Sequence, residues 1–239
     1  MKNPCIVSYF MGNLSDQTPM MQRTVVDKFN KSKIPFYQVK GQPSHAQFID
    51  YFWCVNGAAP EYMKDAGVKQ ELDHDVVLIL DIDCIPLSDK SIDYYLEQAA
   101  AGKIIGNIQR SNHIQNEQHV FAAPSAVALS RETYIKIGKP AALETQRSDV
   151  AEEYTWAAEV ANVPVELIMP LSFDKAPHKY GWEDDQRPFW ALKDGMPVYG
   201  IGTTFGTEEH GPLYYHNFQI GHEGNQEMFW ARCEKALNE

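Results

Sequence analysis

The sequence is short of cysteine, of cationic side chains and of long apolar runs, and each shortage removes a class of protein. Four cysteines, Cys5, Cys54, Cys84 and Cys233, are spread over 239 residues without a Cys-x-x-Cys pair. That spacing offers neither a zinc knuckle nor a dithiol redox motif. It fits free thiols in a reducing compartment. Lysine and arginine number 21 against 32 acids, a formal net charge of −11. Such a chain does not hold nucleic acid by bulk electrostatics, although a local basic groove stays compatible with it. The excess acid reads first as a solvated surface. No stretch approaches the roughly 18 consecutive apolar residues of a membrane-spanning helix. Met1–Pro4 leads straight into Cys5–Phe10, too short for the apolar region of a signal peptide. The expected location is therefore a cytosol.

What the chain does have is a globular balance, 44% hydrophobic and 12% aromatic. That supports a sizeable core and argues against disorder of the whole chain. No repeat, low-complexity segment or linker interrupts it, so we expect one α/β domain. Strand patterns fall at Cys5–Phe10, Pro35–Val39, Val76–Leu80, Ile104–Ile108 and Ala126–Leu129. A further strand at Val165–Met169 should stop at Pro170. Helical spacing covers Pro19–Asn30 with Thr18 as its cap, then His45–Val55 and, more weakly, Glu61–Leu72. Ser88 should cap a helix running to about Ala101, and Asp149–Ala161 is amphipathic. After Pro170 the texture is rich in Gly, Pro, His and aromatics. There we expect loops, a hairpin from Phe189–Leu192 to Met196–Tyr199 across an Asp-Gly turn, and a closing helix at Gln226–Leu237.

One segment carries chemistry. Val76–Leu80 is apolar throughout, as a strand buried on both faces must be. Asp81 and Asp83 follow at its C-terminal end, where open α/β sheets bind ligands. Residues i and i+2 of a strand face the same way, so the two carboxylates can converge on one cation. Oxygen ligands suit Mg²⁺ or Mn²⁺, which in turn bridge phosphates. The plain alternative is a pair of strand-end acids, and Asp-x-Asp alone is common.

Leu78–Asp83 followed by Ile85-Pro86-Leu87 resembles the Asp-x-Asp signature of the GT-A-fold glycosyltransferases. The resemblance covers about the first two thirds of the chain by element order. It implies a Rossmann-type, mostly parallel mixed sheet flanked by helices, with a loop-rich C-terminal third. It also implies that residues 1–110 hold a nucleotide sugar, UDP- or GDP-linked, and that residues 111–239 face the acceptor. Asp81 and Asp83 would bind Mn²⁺ or Mg²⁺ on the donor diphosphate. A late histidine would be a third ligand: His216 is the best match, His210 and His222 the weaker ones. Ser8, Tyr9, Phe10 and Met11 map to the base-binding strand and loop, the start of the first helix offers backbone N–H groups, and Arg110 can neutralise phosphate. Asp149 or Glu153 would lie near the acceptor and serve as general base. Asp184, in Gly181–Asp185, is a rival for that role, since that segment resembles a galactosyltransferase motif but lacks one Gly. The acceptor, whether glycan, protein or modified nucleic acid, stays open.

Three other readings remain at this point. A haloacid-dehalogenase-type phosphatase also carries an Asp-x-Asp after an apolar run, with the first Asp as nucleophile. Against it, Ile85 stands where Thr or Val is expected, no Gly follows Asp83, and the motif lies at residue 81 rather than on the first strand. A nucleotidyltransferase shares the metal logic, but Met11–Leu14 is a poor version of its Gly-rich basic loop. A sugar-binding module without chemistry would use the same aromatics for stacking.

Overall fold

The computed structural model describes residues 3–10, 14–40, 74–111, 119–142, 144–178, 189–193 and 195–239. The expected helices at 45–55 and 61–72, Met11, Cys54, Asp194 and the segment 181–185 lie outside them. The first strand, β1 (Pro4–Phe10), is followed by helix α1 (Gln17–Phe29) and β2 (Phe36–Lys40). The apolar run becomes β3 (Val76–Asp81), after which β4 (Cys84–Pro86) begins. Helix α2 (Ser91–Ala100), β5 (Ile104–Arg110), β6 (Val120–Ser130) and the short helix α3 (Arg131–Lys136) come next. Helix α4 (Glu152–Val160) and β7 (Val165–Ser172) precede the small hairpin of β8 (Trp190–Ala191) and β9 (Val198–Tyr199). Strands β10 (Thr203–Thr207) and β11 (Gly211–His216) lead to the closing helix α5 (Asn225–Asn238).

Among the described residues, nine strands form one mixed sheet in the order β2-β1-β3-β6-β5-β7-β10-β11-β4. Strands β1, β2 and β3 are parallel, and β5 is parallel to β7. Strand β6 is antiparallel to both its neighbours, as are β10 and β11. The alternation of β3 explains its continuous apolar run. Val77 and Ile79 enter one core with Tyr134, Tyr154 and Ala158, on the side of α3 and α4. Val76, Leu78 and Leu80 enter the other, with Ile92, Tyr95, Leu96 and Ala99 of α2. Burying each such leucine contributes about 1.5–3 kcal/mol. A third core joins Val25 and Phe29 of α1 to Phe229 and Cys233 of α5, over Ile85 and Tyr215. Cys5, Cys84 and Cys233 are free, buried thiols. Among the described residues, no helix is long and apolar enough to cross a membrane.

Several local readings need correction. Pro170 does not end β7, which runs on to Ser172. Pairing with β5 stops at Ile168, and Pro170 sits opposite a register shift in β10. A missing N–H costs little where the strand has lost one partner. Thr18 is not a cap but lies inside the first turn of α1, its hydroxyl bonded to Gln226 Oε1 at 3.3 Å and accepting from Trp230 Nε1 at 3.1 Å. Ser88 does not cap α2 either: the helix starts at Ser91, whose Oγ reaches back to the Ser88 amide at 3.1 Å. Helix α4 starts at Glu152, because Ala151 turns left-handed at φ 64° and leaves Asp149 outside. The C-terminal third also holds more strand than its texture suggests. Gly206 is what permits β10 and β11 to pair there, since a Cβ at that position would lie 2.1 Å from the Gly211 carbonyl oxygen.

Candidate metal centre

Strands β3 and β4 are three residues apart in the chain but occupy the third and ninth places in the sheet. About 10 Å of backbone connects them, so the sheet curls until its last strand returns beside β3. Strand β4 pairs there with β11, and the register sets Cys84 opposite His216. The pairing thus carries His216 to the turn that holds Asp83, and the Asn217 amide donates to the Asp83 carbonyl at 3.0 Å. The His216 Nε2 lies 3.1 Å from Asp83 Oδ1 and 3.6 Å from Asp81 Oδ2. The three side chains offer one ligand atom each, all within 4.8 Å of one another.

The cluster is unlike an ordinary surface group of acids. Asp83 is 6% exposed and His216 is 4% exposed. The Phe218 ring meets the imidazole edge-on, 4.0 Å between centroids. The His216 Nδ1 is buried with no hydrogen-bond partner among the described residues. Burial opposes charge on this ring, but the charge and hydrogen bond of Asp83, and then the charge of Asp81, outweigh it and raise its proton affinity above that of an ordinary histidine. Burial, then Asp81 and Asp83, push the neighbouring Cys84 thiol well up, so it stays protonated. The arrangement therefore presents two acids and one imidazole to a common point at the C-terminal edge of β3.

The other candidates scatter. On β1, Ser8 pairs with Leu80 and Tyr9 with Asp81, so these residues border the same edge. The Ser8 hydroxyl is buried without a partner among the described residues. Tyr9 is a core side chain, and Phe10 is half-buried at the strand end. Arg110 closes β5, half-buried, its amide donating to the Tyr199 hydroxyl at 3.4 Å. His210 packs edge-on against Tyr94, and His222 stacks on His178 at 4.7 Å; neither belongs to the acid–imidazole group.

On the acceptor side, the Glu153 carboxylate takes bonds from Arg147 Nε at 2.8 Å, Arg147 Nη2 at 2.6 Å and Ser148 Oγ at 3.0 Å. The Arg147 bonds come first in holding it below the usual carboxylate range. Asp149 Oδ1 accepts from the Val150 amide at 2.8 Å. Asp184 is outside the described residues.

The structure adds a residue that the sequence reading passed over. Glu152 is fully buried. It accepts from Ser111 Oγ at 2.7 Å, the Asp149 amide at 2.6 Å and Trp156 Nε1 at 3.1 Å, and its Oε1 lies 2.5 Å from His119 Nδ1. Burial works against this carboxylate, yet the bonds from His119, the Asp149 amide and Ser111 outweigh it and lower its pKa. The His119 ring stacks on Trp156 at 3.8 Å. A sequence signal was available: Glu152, Thr155 and Ala158 share the buried face of α4, and an acid on such a face demands donors.

No protein-family model matches the sequence, and no curated protein matches it. Solved structures do align with it. The catalytic domain of Drosophila beta1,4-galactosyltransferase 7, complexed with xylobiose, aligns over 96% of this chain and 79% of its own at 10% identity, with a TM-score of 0.44. A mutant of that protein, complexed with manganese, UDP-Gal and xylobiose, aligns over 68% of this chain and 64% of its own at 11% identity, with a TM-score of 0.40. An active-site mutant of LgtC aligns over 98% of this chain and 95% of its own at 11% identity, with a TM-score of 0.44.

Proposed function

We propose that this chain is a metal-dependent glycosyltransferase that moves a sugar from a nucleotide-sugar donor to a hydroxyl acceptor. The observation that carries the reading is the convergence of half-buried Asp81 with buried Asp83 and His216 within 4.8 Å at the C-terminal edge of β3. Two carboxylates so close repel unless a cation joins them. Carboxylate oxygens suit Mg²⁺ or Mn²⁺, and the imidazole nitrogen tilts the choice toward Mn²⁺. The donor set thus fits such an ion, with Asp81, Asp83 and His216 Nε2 as its protein ligands. When bound, the cation would supply Lewis-acid stabilisation of the charge on a leaving nucleoside diphosphate.

The chain's own residues supply the rest of the reading. Ser8, Tyr9 and Phe10 border the metal turn on β1 and would contact the nucleoside. Arg110 would meet phosphate oxygens. Asp149 or Asp184 would take the proton from the acceptor hydroxyl. Glu153 suits that task less, because Arg147 already engages both of its oxygens and a lowered pKa makes a weak base.

The test is a thermal-shift screen of UDP-, GDP-, CMP- and TDP-sugars, each with Mn²⁺ or with EDTA. A ligand that binds only the folded state raises the melting temperature by mass action. A shift that needs both one nucleotide sugar and Mn²⁺ is the expected result. No shift with any donor, together with Mg²⁺-dependent hydrolysis of a phosphomonoester, would replace this reading with the phosphatase one.

A further inference from the structure

Helix α1 buries Thr18, Gln22, Val25, Val26 and Phe29. Gln22 is a long polar side chain on that face, fully buried, and such a group needs its hydrogen bonds met. Its Nε2 donates to the Asp81 carbonyl at 2.6 Å and to the Cys84 carbonyl at 3.0 Å. Those carbonyls flank the two turn residues, Ile82 and Asp83. Its Oε1 accepts from Gln38 Nε2 at 2.9 Å. Gln38 is held in turn: its Nε2 donates to the Pro19 carbonyl at 2.8 Å, and its Oε1 accepts from Arg23 Nε at 3.0 Å.

We infer that Gln22 is a positioning residue for the metal turn: its amide pins the backbone on both sides of Asp83 and so fixes where the two carboxylates point. This rests on reading Asp81, Asp83 and His216 as a cation site. The geometry makes the case. On one side the turn is held by the Asn217 amide on the Asp83 carbonyl. On the other side Gln22 reaches it from α1, its amide donating to both the Asp81 and the Cys84 carbonyls. Repulsion between the carboxylates acts to open the turn, and the two Gln22 bonds oppose that opening. A side chain with two donors and the reach of glutamine is required. Methionine has the shape without the donors, and glutamate would set a carboxylate against two carbonyl oxygens. Gln38 and Arg23 extend the support to β2 without touching the turn.

The test uses the full chain and Mn²⁺ alone, titrated by electron paramagnetic resonance of free Mn²⁺, with the melting temperature recorded in EDTA. Outer residues that orient metal ligands typically change affinity by about 10–100-fold, and Gln22→Met should fall in that range. Gln38→Met should weaken binding less, because the turn keeps both Gln22 donors. Val26→Ala, on the same buried face but with no bond to the turn, should lower the melting temperature and keep parental affinity. If Gln22→Met binds Mn²⁺ as the parent does, or if Val26→Ala loses as much affinity, the positioning role is wrong while the metal reading stands. If the parent does not bind Mn²⁺, or Asp83→Asn binds it equally well, the metal reading itself fails and takes this inference with it. Should Gln22→Met not fold, Gln22→Asn decides, because it keeps the amide but shortens its reach to the two carbonyls: weakened Mn²⁺ binding supports the role, and parental binding overturns it.

Discussion

Two acidic sites lie at the same edge of the sheet, the pair Asp81 and Asp83 at the end of β3 and the single Glu152 where β5 ends and β6 begins, and their surroundings differ in kind. Glu152 is enclosed by a hydroxyl, a backbone amide, an indole and an imidazole. Its ionised form is satisfied within the protein, so nothing further is needed from outside. Asp83 faces the imidazole of His216 while a second carboxylate, Asp81, shares that imidazole. Burial alone therefore does not separate a structural acid from a ligand acid. The kind of partner does: Glu152 is enclosed by a hydroxyl, two N–H groups and an imidazole, whereas Asp81 and Asp83 converge on a single imidazole, the arrangement that we propose holds a cation.

That contrast can be broken at three points. The largest effect should come from Asp83→Asn, which keeps the shape of the side chain and removes its charge. Mn²⁺ binding should fall below detection in a calorimetric titration, with the melting temperature in EDTA close to that of the parent. Glu152→Leu should do the opposite. It removes the carboxylate that His119, Ser111, Trp156 and the Asp149 amide share, and breaking a buried charged group of this kind costs about 3–5 kcal/mol. Urea unfolding should record that loss while Mn²⁺ affinity per folded molecule stays parental. A Glu152→Leu protein that is as stable as the parent but cannot bind Mn²⁺ would erase the distinction between the two groups.

The smallest effect sharpens the contrast through pH. Glu152 and Glu153 both hold their protons less tightly in the folded protein, the first chiefly through donors that overcome burial and the second chiefly through Arg147. Their stabilisation is in full force above the unfolded glutamate pKa of about 4.3 and is lost as pH falls through the lower folded values. Urea midpoints measured downward from about pH 6 should drop below that point, less steeply in Glu152→Gln. Equal acid sensitivity in the parent and in that variant would mean that Glu152 contributes nothing through its charge.

How much of this was legible depended on whether a pattern was local. The run Val76–Leu80 declared a doubly buried strand, and the two acids after it declared a ligand edge, because strand alternation and strand ends are local rules. His216 stood out as a histidine in the aromatic run 214–218. What brings it to Asp83, the pairing of Cys84 with His216, is a property of the folded sheet. Gln22 and Glu152 were missed for a shared reason. Each is a polar residue at a helical position whose neighbours in the pattern are buried, and only the partners across the fold reveal what it binds. The run 214–218 reads as strand-like, but the strand at 203–207 does not, because Gly206, a strand breaker by propensity, is there to let two backbones come close. Pro170 misled in the same way, since a missing N–H forbids a strand interior only where a partner strand awaits it.

The pairing of β4 with β11 has a consequence for synthesis. Asp83 and His216 are separated by 133 positions. At ribosomal speeds of about 5–20 residues per second, roughly 7 to 27 s pass between the making of the acidic turn and the making of the histidine. During that interval the two aspartates exist without the imidazole, beside a strand, β4, whose partner β11 has not yet been made. The proposed cation site would thus be completed only once β11 is made, and a nascent chain stalled before β11 would carry the acidic motif without the full set of side chains that surrounds it in the finished fold.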